Sequence, residues 1–304
     1  MRRLCAVVVL LCATALGAPA DDETALPDAP LPGARTPRIT AGSDPATGVL
    51  GTMPRPALRF AVSSRTCAAG WVTANDCGVH WAPLLRQSFT LLMLQHGARL
   101  AGDASARTAM TRGPFFSKWF DAAGQQQLTR WNDGDAFVTN YVGHPLMGGV
   151  ASFLFIQNDP RGRDLTVHNS RQYWTSRLKA MAFTAAYTVQ WEIGPLSEAS
   201  LAHTGSAQYR SRHSGRMTNG TGLVDYIVTP LGGTAVTVAE DLIDRHLLWG
   251  LEGRTNNRAA LLGMSLLNPT RSAANLLRGR APWYRDGRFK RVARTDLPFQ
   301  NAAE

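Results

Sequence analysis

The stretch Pro145-Leu146-Met147-Gly148-Gly149-Val150-Ala151-Ser152-Phe153-Leu154-Phe155-Ile156-Gln157 decides the fold. It is apolar almost throughout, opens on a proline, and is halted by Asn158-Asp159-Pro160. Proline has its φ preset for a first helical turn, and the residue before it is pushed away from helical geometry. The spacing therefore predicts a helix over 145–157 with His144 at its cap. The run is shorter than the roughly 20 residues a spanning helix needs, as are the apolar runs 180–191 and 226–239. All three are expected to be core helices, with an integral bundle hairpinned into one leaflet as the competing reading.

Working outward, a helix is expected from Pro83 through Leu84, Leu85, Phe89, Leu92 and His96 to about Leu100. Residues 101–134 are mixed, and Phe115, Phe116, Trp119, Phe120 and Trp131 are expected to pack loops or a short helix onto the core. Downstream, a helix from about Tyr173 to His203 is expected to bend at Gly194-Pro195, and a Gly/Ser/Thr/Asn loop covers Gly205 to Gly222. Another helical region follows over about Leu223 to Leu251, with Gly253 placed to end it. Two shorter helices, Asn256–Leu267 and Thr270–Arg278, precede an irregular end. The pairs Gly148-Gly149 and Gly232-Gly233 permit close helix contact. The expected fold is mainly α: a bundle of about four core helices spanning 60–252, then short helices and a basic tail over 253–304.

The beginning of the chain reads as an export signal. Arg2 and Arg3 form a positive region, Leu4 to Leu16 an apolar one, and Ala18-Pro19-Ala20 a small-residue cleavage site. Leu4 and Leu11 before Cys5 and Cys12 do not suit lipidation. Residues 21–59 carry Pro27, Pro30, Pro32, Pro37, Pro45, Pro54 and Pro56 without an apolar period, so a flexible lead-in is expected. The formal net charge is +10. In an exported protein, periplasmic or associated with the outer envelope, that charge suits anionic lipid or another envelope component, and nucleic acid is not an expected partner. An arginine-heavy composition without a partner gives the same charge. Cys67 and Cys77 remain after cleavage, and in an oxidising compartment this close pair reads as a local disulfide. Their separation does not suit paired zinc ligands.

Three positions carry the strongest chemical expectation. His144 at a helix mouth would be held neutral by the positive helix end, leaving it able to act as base, ligand or acceptor. Glu192, after an apolar run, needs either a partner such as an arginine or an edge position. Asp225 shares a helical stripe with Thr229, Gly232, Val236 and Glu240, and Pro230 must kink that helix or start a new one capped by Thr229. Each also has a plain structural reading as a cap, an ion pair or a packing site. Candidate binding residues are Thr229, Gly232, Gly233 and Glu240, together with Arg278, Arg280, Arg285 and Arg288 from the tail. In that tail arginines alternate with Trp283, Tyr284 and Phe289, a pattern suited to an anionic membrane interface. His96 and His246 read as structural, and His168, His203 and His213 have no ligand spacing. There is no nucleophile elbow, His-Glu-x-x-His or phosphate-binding glycine pattern.

Phe137 to about Leu248, roughly a third of the chain, resembles an uncharacterised bacterial family of exported proteins, a domain of unknown function. The motifs that carry the resemblance are Asn140 with Gly143, His144 and Pro145; Trp191 with Glu192; then Asp225, Thr229, Pro230, Gly232, Gly233 and Glu240. The segment between Glu192 and Asp225 is longer here than in that family. The resemblance implies an envelope location and a polar helical core, and supplies no activity. Two functions are therefore expected in competition. One is a membrane-associated structural or binding module. The other is a hydrolase or metal-dependent enzyme using His144, Glu192 and Asp225, its cofactor left open with a divalent metal as one candidate.

Overall fold

The computed structural model describes Cys67 and residues 76–286, except 103, 112, 207–210 and 214–215. The expected signal peptide, the proline-rich lead-in and the tail beyond Asp286 lie outside the described residues. Helix α1 spans Trp81–Gly102, α2 Ala104–Met110 and α3 Phe115–Gly124. A π-helical turn, Thr139–Gly143, runs into α4, His144–Asn158. Then come α5, Arg171–Ile193, and the short α6, Glu198–Leu201. A hairpin pairs β1, Ser211–His213, with β2, Arg216–Thr218, antiparallel. Helix α7, Val224–Ile243, continues through a second π-turn, Asp244–Leu248, into α8, Trp249–Glu252. Helices α9, Arg258–Ser265, and α10, Pro269–Leu277, close the order. The fold is mainly helical, as the periodicity predicts.

Helix α4 is the axis. Gly148 to Asn158 are all buried, because α1, α5, α7 and α10 surround it. A helix apolar on every side is stable only when neighbours cover every side. Its core partners are Leu84, Leu91 and Leu92 on α1, Ala180 and Tyr187 on α5, and Ala274 on α10. The glycine pairs set the crossing with α7. A Cβ on Gly148 would stand 2.1 Å from the Thr229 carbonyl oxygen, and one on Gly233 would stand 2.4 Å from the Gly148 carbonyl carbon. Backbone meets backbone there, so only glycine fits. Gly232 packs on Pro145 and Gly149 on Thr270.

Three boundaries differ from expectation. Pro145 does not start its helix: the chain is already helical, and the wider π-turn carries it past the proline, with the His144 N–H donating to the Thr139 carbonyl. A proline ring crowds the carbonyl four residues earlier, and a wide turn relieves that clash. The expected bend at Gly194-Pro195 is a break. Helix α5 stops at Ile193, and Ser197 caps a separate α6 by accepting from the Ser200 N–H. Pro230 sits inside an unbroken α7, and Thr229 caps no new helix.

The interior holds a knot of charge. Asp241 accepts from Tyr173 Oη at 2.8 Å, from Arg177 Nε and Nη2 at 2.9 and 2.7 Å, and from Arg271. Arg177 is only 2% exposed, so its charge depends on this carboxylate. Cys67 and Cys77 form the expected disulfide, their Cα atoms 5.7 Å apart.

Candidate functional site

The site grows from the packing of α4 against α5 and α7. Because the π-turn delivers His144 already within a helix, its imidazole is 16% exposed instead of standing at a helix mouth. Nε2 lies 3.3 Å from Asp225 Oδ1, in the first turn of α7. Burial lowers the pKa of His144, opposed by the charge of Asp133.

Asp225 is pushed up to about 9, first by burial and then by Asp133, Asp135 and Glu198. At neutral pH the pair thus keeps its proton on the carboxyl beside a neutral imidazole. Glu192 is buried on α5 and raised well above the ordinary carboxylate range by burial, by Asp225 and by Glu198. The arginine of this region, Arg99, forms its ion pair with Glu198. Glu198 itself is raised to about 7, mainly by burial.

Asp133, Arg99 and Glu198 were not among the residues singled out from sequence, and Asn140 was named only as part of the motif around His144. Asp133 arrives through a turn: Asn132 Oδ1 accepts from the Gly134 N–H at 2.6 Å, and Gly134 has φ +104°, left-handed backbone that favours glycine. The same loop is tied to the start of α7, since the Val224 N–H donates to the Trp131 carbonyl at 3.0 Å. Gly222 makes this approach possible, because a Cβ there would lie 2.7 Å from the Asp133 nitrogen. Asn140 Nδ2 then donates to Asp133 Oδ1 at 2.7 Å. The turn residues Asn132-Asp133-Gly134 were the available signal.

Beside this cluster a cavity of about 300 Å³ opens between α1, α4, α5 and α7, its wall including Arg99, His144, Met147, Tyr187, Trp191 and Thr229. His144 and Asp225 therefore meet directly, Glu192 joins them through charge, and Thr229 faces the adjoining space. The other candidates are committed elsewhere. Glu240 accepts from the Thr270 and Arg271 N–H groups at 2.8 and 3.0 Å, capping α10. Gly232 and Gly233 are filled by Pro145 and Gly148. Arg278 donates twice to Asp286, at 2.9 and 3.0 Å, and buried Arg285 pairs with Asp244 and Glu252 at 2.7 and 3.2 Å. The guanidinium of Arg280 lies 5.0 Å over the Tyr284 ring. The basic tail thus spends two of its expected surface cations inside the fold, and Arg288 lies outside the described residues. His96 stacks on Trp191 at 4.3 Å, a packing role.

Among the described residues no three His, Cys, Asp or Glu side chains are grouped as a metal site. What the arrangement offers chemically is a neutral imidazole and a protonated carboxyl at the edge of an apolar space, an acid–base pair with perturbed proton affinity. Comparison of the chain with protein-family models, with curated proteins and with solved structures finds no match in any of the three.

Proposed function

We propose that the chain is an exported protein of the cell envelope that works at a membrane surface as a binding module. One observation carries this reading: many large apolar side chains are exposed, around an interior that buries polar and charged ones as well as apolar ones. On α1 Leu85, Phe89 and Leu94 are exposed while Gln87, Ser88 and His96 are buried, and on α7 Leu231 and Leu242 are exposed while Asp225, Glu240 and Asp241 are buried. Helix α3 adds exposed Phe115, Phe116 and Phe120, with Trp119 and Phe120 stacked at 5.0 Å. Soluble proteins rarely leave wide apolar patches uncovered, and aromatic side chains favour the headgroup region of a bilayer. No described helix is long and apolar enough to cross a membrane, which suits attachment to its surface. Vesicle flotation tests the proposal. The protein should float with anionic vesicles at low salt, and protein that stays at the bottom of the gradient with both anionic and zwitterionic vesicles would overturn it.

A second reading, an enzyme with His144 and Asp225 as its acid–base pair, is favoured by their 3.3 Å approach beside a cavity. Screening generic ester, phosphate-ester and peptide substrates should then find a turnover that His144→Ala and Asp225→Asn abolish. Turnover unaltered in both variants would end this version.

A further inference from the structure

Thr229 breaks a pattern that neighbouring threonines keep. Their hydroxyls donate to the carbonyl four residues back: Thr188 to Thr184 at 3.0 Å, and Thr234 to Pro230 and Thr237 to Gly233 at 2.8 Å. The Thr229 hydroxyl has no hydrogen-bond partner among the described residues, although the residue is only 5% exposed. It stands at the wall of the cavity between α1, α4, α5 and α7. Buried polar atoms are nearly always paired, so an orphan hydroxyl beside an open space marks a place where a bound molecule completes the bonding. The space is about 300 Å³, roughly twice the apolar cavity that admits a benzene ring. Met147, Tyr187 and Trp191 give it apolar and aromatic sides. Ala98 and Met147 line it and are exposed, so it opens outward between apolar side chains.

The charge of the wall selects the head of the ligand. Arg99 already has its counter-charge in Glu198. Burial keeps His144 neutral and Asp225, behind it, protonated at neutral pH. Neither an ammonium nor a carboxylate would find an unmatched counter-charge among the described wall residues, and a buried charge without one is costly. We propose that the cavity binds an uncharged amphiphile, an alkyl chain bearing a single hydroxyl that hydrogen-bonds Thr229 Oγ1 while the chain lies against Met147, Tyr187 and Trp191. A ligand hydroxyl can donate or accept, as the threonine hydroxyl can, so the pair is satisfied in either direction. This inference goes beyond the membrane proposal and does not depend on it, because cavity occupancy is measured with no vesicle present.

The test is calorimetric titration of the full chain at pH 7 with octanol, octylamine and octanoate, which share one hydrocarbon body and differ in head charge. Octanol should bind one molecule per chain, at least tenfold more tightly than either charged probe. Thr229→Val, which keeps the side-chain shape, should weaken octanol several-fold and leave toluene, which has no head to bond, unchanged. Ala98→Trp places a bulky ring at the mouth from an exposed position and should abolish octanol and toluene binding together. Octylamine or octanoate binding as tightly as octanol, an octanol affinity unmoved by both variants, or no one-site binding of octanol would each overturn the inference. So would uptake of many octanol molecules that survives Ala98→Trp, which belongs to the exposed apolar surface.

Discussion

Thr229 carries an unpaired hydroxyl into the interior. Its hydroxyl is buried without a partner, and such a group costs roughly 1–3 kcal/mol. Thr229→Val should therefore raise the urea midpoint, by about 1 kcal/mol of stability; a lower midpoint would show that the hydroxyl is bonded after all. Gly148 is the opposite case. An added methyl meets the Thr229 carbonyl at 2.1 Å, so Gly148→Ala should cost at least about 1–3 kcal/mol through overpacking, read from the same denaturation curves. Asp225 sets a pH dependence. Its ordinary pKa is 3.8 and the fold raises it to about 9, so the native state holds a proton that the unfolded chain has released. Its stabilising contribution is complete below pH 4 and is lost as the pH rises toward 9, and Glu198, raised to about 7, acts in the same direction over the lower part of that window. Thermal midpoints should fall between pH 5 and 9, and less steeply in Asp225→Asn. Equal slopes would mean that Asp225 ionises as an ordinary carboxylate.

Between elements, the decisive contact is the Asp241 carboxylate, which ties α5, α7 and α10 together through Tyr173, Arg177 and Arg271. Asp241→Asn leaves two guanidinium groups short of their counter-charge inside the bundle, and should cost about 3–5 kcal/mol in chemical denaturation. A loss under 1 kcal/mol would show that water reaches Arg177. The α4 and α7 helices and their glycine contacts were legible in the sequence, because an uninterrupted apolar run and paired glycines carry a local, periodic message. The π-turn was not legible: Gly143-His144-Pro145 fits a helix start equally well, and what favours continuation is the packing of the preceding turn. The ion pairs were also hidden. Arg99 reaches Glu198, and Arg271 reaches Asp241, across helix interfaces whose rotation no single stretch of chain reveals. His144 and Asp225 could be singled out one by one, but their meeting depends on Gly222 letting the 131–133 loop clasp the start of α7.

At the level of the whole molecule, the described residues bury charged and polar groups beside an apolar core while leaving many large apolar side chains exposed. The Cys67–Cys77 bridge closes a segment ahead of α1 with a sequence separation of 10. Reduction should lower stability by about 2–3 kcal/mol on the loop-entropy account, measured as a shift in the denaturation midpoint. An unchanged midpoint would place that segment outside the cooperative unit. The π-turn at Thr139–Gly143 has a further meaning on this scale. A π-turn takes up one surplus residue without turning the helix on either side of it, so the chain before the turn keeps its angular phase. Asn140 therefore reaches Asp133 from inside the turn while His144, one residue past it, reaches Asp225, and a single widened turn serves two partners on different elements.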